Sequence, residues 1–204
     1  MTGGNGSTLA QPESFEFSAE NIERAQKFIA KYPEGRQQSA VMPLLDLAQR
    51  QNDDWLPTAA IEYIADYLDM PSMRVFEVAS FYTMYNLKPV GKTRIQVCTT
   101  TPCWLRGSDE VVATCKRKLG IGIGETTADG EFSLTEVECL GACVNAPVVQ
   151  VNEDYYEDVD GQHAEELIDA LQKGERPTPG PMNGRQMSAP EGQRTTLLKE
   201  QGGT

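Results

Sequence analysis

Two cysteine couplets, Cys98-Thr-Thr-Thr-Pro-Cys103 and Cys139-Leu-Gly-Ala-Cys143, constrain this chain more than any other feature. Their spacings are C-x4-C and C-x3-C, and the run between them has room for a helix and a strand, so four thiols can converge on one site from two loops. Arg94-Ile-Gln-Val-Cys98 reads as a buried strand ending at the first couplet, and Phe132-Ser-Leu-Thr-Glu-Val-Glu-Cys139 as a second strand ending at the other. Loops that follow strands present side chains and backbone amides to a bound group. Gly141 and Pro147 flank the second couplet, the first giving freedom to wrap closely and the second stiffness on leaving.

Four sulfurs at one point imply a metal. Structural zinc favours tight C-x2-C knuckles, whereas these wider loops suit a two-iron rhomb with two ligands per iron, so a [2Fe–2S] cluster is favoured over zinc and over a redox-active dithiol. The C-x4-C-x2-C pattern of plant-type ferredoxins is absent, and one histidine excludes a Rieske-type pair. The chain holds five cysteines, an odd number that argues for ligands plus a spare rather than a disulfide framework. Cys115 is the spare: it sits on an apolar helical stripe with Val111, Val112 and Leu119, as a small core residue.

Around these couplets the pattern divides the 204 residues into four parts. Residues 1–14 read as a flexible leader. In 15–90 four amphipathic helices are expected, the first capped by Ser18, the others opening near Ser39, Pro57 and Ser72. They are read as a four-helix bundle, with Phe76, Phe81, Tyr82 and Tyr85 assigned mostly to its core and its seam with the next domain. Asn86-Leu-Lys-Pro-Val-Gly91 is the expected hinge. Residues 91–175 then run strand, helix, strand, a hairpin over 147–159 and a last helix over 162–173, an order that resembles the thioredoxin-like arrangement without its C-x-x-C motif. Residues 176–204, with Pro177, Pro179 and Pro181, are read as disordered or laid extended along a partner. The fold class is therefore α+β: a helical bundle followed by a thioredoxin-like α/β domain.

The net charge of −12 is concentrated in 91–175, which carries 7 basic and 16 acidic residues. An anionic surface repels phosphate backbones, so nucleic acid is not an expected partner. Glu136, Glu138 and the run Glu153–Asp160 are read either as opposing reduction of a nearby cluster or, equally, as an ordinary solvated face, while amides near Gly141 to Val144 favour reduction; all-cysteine clusters of the plant type lie near about −400 mV, and a low value is expected here. No apolar run spans a bilayer, and the first residues carry neither a secretory signal nor an Arg-rich presequence, so a bacterial cytoplasmic or mature organellar location is expected. Gly120-Ile-Gly-Ile-Gly124 does not fit a G-x-G-x-x-G cradle.

Both couplets with their neighbours, together with Lys31-Tyr-Pro-Glu-Gly-Arg-Gln-Gln-Ser-Ala40 and Phe76-Glu-Val-Ala-Ser-Phe-Tyr-Thr-Met-Tyr85, resemble the thioredoxin-like [2Fe–2S] subunits of respiratory complex I over roughly residues 12–175. The resemblance implies that Cys98, Cys103, Cys139 and Cys143 ligate one [2Fe–2S] cluster. It implies docking on a flavoprotein that holds FMN and binds NADH, and single-electron exchange with that flavin off the main iron–sulfur chain. No catalytic acid, base or nucleophile is then required of this chain. Other peripheral-arm subunits are implied partners, and the membrane is reached only through the complex, on its cytoplasmic or matrix side. The same fold also serves NAD-linked formate dehydrogenases and NAD-reducing hydrogenases. A zinc-stabilised interaction module is the reading from a different class.

Overall fold

Ser18 opens the first helix by accepting from the Asn21 amide, which satisfies one of the donors that a helix start leaves bare. The computed structural model describes residues 11–190. The chain forms two units, divided between Val90 and Gly91.

The first unit is helical. Helices α1 (Ala19–Ile29), α2 (Val41–Gln51), α3 (Thr58–Leu68) and α4 (Ser72–Phe81) are joined by short turns, with a 3-10 turn at Gln37–Ala40 leading into α2. Pro43 lies in the first turn of α2, where no intrahelical N–H bond is lost. Leu44, Leu45, Leu47, Ile61, Ile64 and Leu68 are buried at the centre, each worth about 1.5–3 kcal/mol against exposure. Within the expected leader, residues 1–10 lie outside the described residues. Gln11, inside it, is engaged, its side-chain carbonyl accepting from the Thr58 amide at the start of α3.

The aromatic assignment needs correction. Tyr85 is buried, but Phe76, Tyr82 and Phe81 are 46%, 40% and 77% exposed. Helix α4 turns Val75 and Ala79 inward, so Phe76, one position on from Val75, points outward, and Tyr82 leaves the helix in extended backbone. The aromatic cluster of this unit is instead Phe15, Phe17, Tyr63 and Tyr67, with edge-to-face contacts of 5.3–5.6 Å between Phe15, Phe17 and Tyr63.

The second unit is a mixed sheet with helices. Its strands are β1 (Thr93–Cys98), β2 (Glu125–Thr126), β3 (Phe132–Val137), β4 (Val148–Val151), β5 (Asp154–Glu157) and β6 (Gly180–Pro181), ordered β2-β3-β1-β4-β5-β6. Helices α5 (Thr101–Leu105), α6 (Ser108–Leu119) and α7 (Gly161–Gln172) complete it, and α6 packs on α7. Asp160 caps α7 by accepting from the His163 amide, and Gly120 ends α6 at φ +69, a left-handed conformation that glycine adopts without a Cβ penalty. The core is built from Ile95, Val97, Leu134, Val149 and Val151 on strands and Val111, Leu167 and Ile168 on helices.

The central fact of this sheet is the parallel pairing of β1 with β3, in register from Thr93 opposite Phe132 to Cys98 opposite Val137. Strand β4 lies antiparallel on the other side of β1, with Val97 opposite Val149. Three elements are not apparent in the sequence pattern: α5 inside the first cysteine loop, and the two-residue edge strands β2 and β6. Strand β6 belongs to the segment expected to be disordered or laid on a partner. Its described part, 176–190, instead runs along the chain's own sheet: β6 pairs with β5, and Tyr156 donates to the Pro177 carbonyl at 2.9 Å. Residues 191–204 lie outside the described residues. Among the described residues no helix is long and apolar enough to cross a membrane.

Candidate metal centre

Because β1 and β3 run parallel and in register, their C-terminal ends open side by side, and each leads directly into a cysteine couplet. Cys98 is the last residue of β1, and Cys103 lies in α5, one turn further on. Both are 1% exposed and rest on an apolar floor of Ala146 and Val148 with Leu140, Ala142 and Tyr155 against it. Cys139 and Cys143 are exposed on the loop after β3, the second of them opening a 3-10 turn at Cys143–Asn145 that delivers the chain to β4.

The thiols associate two by two. Cys139 Sγ and Cys143 Sγ are 3.3 Å apart, and the Cys103 thiol is hydrogen-bonded to Cys98. Contacts between the loops join the pairs. Thr100 Oγ1 lies 3.1 Å from Cys98 Sγ and also bonds Cys139, while the Leu140 amide, from the second couplet, donates to Cys98. Tyr155 donates to the Leu140 carbonyl at 3.1 Å and steadies that loop from β5.

In each pair one thiol is shifted toward ionisation and the other away from it. Burial works against ionisation of Cys98, but the Thr100 hydroxyl, the Leu140 and Thr100 amides and the Cys103 thiol outweigh it and hold the group below the ordinary thiol value. Cys139 is held low by the Gly141 amide and then by the Cys143 thiol. Burial and the bond to Cys98 push Cys103 up to about 12. Cys143 is raised chiefly by its bond to Cys139.

Two couplets that each bring a pair of thiols together form a donor set suited to a two-iron rhomb, with two ligands per iron. Residues that periodicity could not reveal as part of the site are Thr100, Leu140 and Tyr155; the only sequence signal is the placing of Thr100 and Leu140 inside the couplets.

Cys115 stands apart, buried in the sheet–helix core, where burial pushes its thiol up to about 11. The raised thiol is protonated and shielded near neutral pH, which leaves it unreactive. Iodoacetamide should therefore leave Cys115 unlabelled in the folded apo-protein under conditions that label Cys139; equal labelling on peptide mapping would contradict the burial.

Comparison with known proteins agrees with this geometry. Residues 25–172 match the family model described as thioredoxin-like [2Fe-2S] ferredoxin. The chain is 63% identical over 158 residues to an NADH-quinone oxidoreductase subunit of Rickettsia bellii (strain RML369-C), covering 78% of this chain and 95% of that one. It is 50% identical over 187 residues to NADH dehydrogenase [ubiquinone] flavoprotein 2, mitochondrial, of Dictyostelium discoideum, covering 91% of this chain and 75% of the other. Among solved structures, an NAD+-reducing [NiFe]-hydrogenase in the air-oxidized state superposes with a TM-score of 0.55 at 21% identity over 64% of this chain and 23% of that one, a likeness of fold alone. With a family match across most of its length and four thiols gathered at the ends of a parallel strand pair, the chain belongs to the thioredoxin-like [2Fe-2S] ferredoxin family.

Proposed function

We propose that this chain is the electron-transfer subunit of the NADH dehydrogenase module of a proton-translocating NADH:quinone oxidoreductase, with Cys98, Cys103, Cys139 and Cys143 holding one [2Fe–2S] cluster. The observation that carries the reading is the two-by-two approach of the four thiols from paired loops, and the relatives named above support the assembly in which it works. Bound there, a [2Fe–2S] cluster supplies a one-electron acceptor and donor.

The chain's own residues set the conditions. Cys98 and Cys103 are sheathed by the apolar floor, and the amides of Leu140 and Gly141 point at sulfurs, favouring added negative charge. Glu136, held by the Thr99 hydroxyl at 2.5 Å, opposes it. Cys139 and Cys143 form the exposed side of the site, and Trp104, Leu105 and Val144 beside the couplets are 55%, 71% and 66% exposed. An apolar rim around an exposed redox site suits a protein partner, here the FMN- and NADH-binding flavoprotein of the same module, with other peripheral-arm subunits beyond it. Helices α1 to α4 would serve as a four-helix bundle that adds contact surface to the assembly. The domains are read as 15–90 and 91–175, on the cytoplasmic face of the inner membrane or the matrix side of an organelle. The equivalent subunit of an NAD-reducing hydrogenase is the second reading; the hydrogenase likeness favours it in fold, and the much higher identity to the oxidoreductase subunits weighs against it.

Visible absorption and the EPR spectrum of dithionite-reduced protein test the reading. A brown protein with about two irons and two sulfides per chain and one [2Fe–2S] signal is expected. Colourless, EPR-silent protein carrying one zinc per chain would end it. Co-purification with a flavoprotein rather than with hydrogenase subunits separates the two assemblies.

A further inference from the structure

The acidic run before α7 contains one residue that does not belong on a solvated face. Asp158 has a side chain only 2% exposed, and it is met by Arg185, 27 positions later and itself 10% exposed. The pairing is bidentate: Nε donates to Oδ2 at 2.7 Å and Nη2 to Oδ1 at 2.5 Å. The same guanidinium reaches the second couplet, since Nη2 donates at 2.9 Å to the carbonyl of Val144, the residue directly after Cys143. Nη1 bonds the Ala189 carbonyl at 3.1 Å.

Other bonds tie the same turn. The Asp158 amide donates to the Asn145 carbonyl at 2.7 Å, and Asn145 Nδ2 donates to the Met187 carbonyl at 3.0 Å and to the Glu157 carboxylate. The 3-10 turn that carries Cys143 is therefore gripped from both sides, by the loop after β5 and by residues 185–187. The first couplet has no such dependence, because Cys98 sits in the central strand and Cys103 on the helix that follows it.

We propose that Arg185 is a positioning residue for the metal centre: its bidentate pairing with buried Asp158 and its bond to the Val144 carbonyl hold the turn that presents Cys143. This rests on the ligand reading given above. A guanidinium is required because one group must span a carboxylate and a carbonyl at once; an ammonium keeps the charge but loses the fork. Without Arg185 the Asp158 carboxylate would be buried and unpaired, so the loop would rearrange to rehydrate it and take the turn with it.

The test uses the full chain with its cluster, comparing wild type with Arg185→Ala, Arg185→Lys and Tyr156→Phe. The last frees the segment from the Pro177 carbonyl without touching the couplet. Two readouts are needed: release of the cluster to an iron chelator, and amide hydrogen exchange over residues 143–146 in the apo-protein. Arg185→Ala should release the cluster about tenfold faster and exchange faster over 143–146, with altered EPR linewidth or g-values. Arg185→Lys should fall between it and wild type, and Tyr156→Phe near wild type. Arg185→Ala behaving as wild type would overturn the proposal. So would full recovery in Arg185→Lys, which would make the effect one of charge, or an equal effect of Tyr156→Phe, which would make it general docking of the segment. A wild-type chain that binds no cluster would instead remove the ligand reading, while the apo-protein exchange would still decide whether Arg185 holds the turn.

Discussion

On the proposed ligand set, Cys98→Ala and Cys139→Ala should each lose the cluster, and Cys115→Ala should keep it. Iron and sulfide should fall from about two of each per chain to near zero in the first two variants and stay unchanged in the third. With two ligands per iron there would be no reserve: removing one from either pair would leave an iron with a single protein thiolate. The two losses should nevertheless differ in what they do to the fold. Cys98 is buried in the central strand against Ala146 and Val148, so its truncation also leaves a small void in that floor. Cys139 is exposed, so its truncation should leave the stability of the apo-protein as in wild type. Thermal melts of the apo forms together with iron analysis separate ligand loss from unfolding. A Cys115→Ala variant without iron, or a Cys139→Ala variant with a normal cluster, would mean that the ligands are a different four thiols.

Gly91→Ala should destabilise the second unit by about 3 kcal/mol, the upper end of what overpacking costs, because the atoms struck are backbone. A Cβ there would lie 2.5 Å from the Phe132 carbonyl carbon and 2.7 Å from the Ser133 nitrogen, distances that no side-chain rotation relieves. The Gly91 amide also donates to Ser133 Oγ at 2.6 Å, and Ser133 Oγ in turn lies 2.7 Å from Thr126 Oγ1 on β2. The clash therefore falls at the start of the β1–β3 pair, whose far ends carry the couplets. A drop in the urea midpoint of about 1–2 M is expected for a typical slope, with faster cluster release. Gly130→Ala, in the same unit, is the control. It stands at φ +73 with open space around its would-be Cβ, so only backbone strain of about 1 kcal/mol applies. A Gly91→Ala midpoint equal to wild type would show that the strand pair is not as close as described.

The parts of this protein that are legible in the sequence are those whose cause is local. Ser18 caps α1 because its hydroxyl reaches an amide three residues on, and Gly120 ends α6 because one residue must take a positive φ. Helix stripes such as Ile61, Ile64 and Leu68 follow from the 3.6-residue period, and the placing of Cys115 among core residues follows from the same period in α6. Where the burial tendency of aromatics stands in for periodicity the reading misleads: it assigns Phe76, Phe81 and Tyr82 mostly to core and seam, and they are exposed, while the periodic positions Val75 and Ala79 are buried.

By itself the sequence determined the chemistry of the centre, since thiol spacing is covalent and the C-x4-C and C-x3-C loops exist in any conformation. It also carried the family, through residues 25–172. Only the tertiary structure decided what surrounds those thiols. The parallel register of β1 and β3, 39 positions apart at Thr93 and Phe132, brings the couplets to one end of the sheet. The reach of Thr100 and Leu140 across the site, and the pairing of Asp158 with Arg185, arise the same way. Such contacts join residues whose separation along the chain exceeds any local period, so their energies become available only after burial has closed the loops between them. A polar residue such as Asp158 looks like any other member of an acidic run until the fold removes water from it and supplies the cation that makes its burial tolerable.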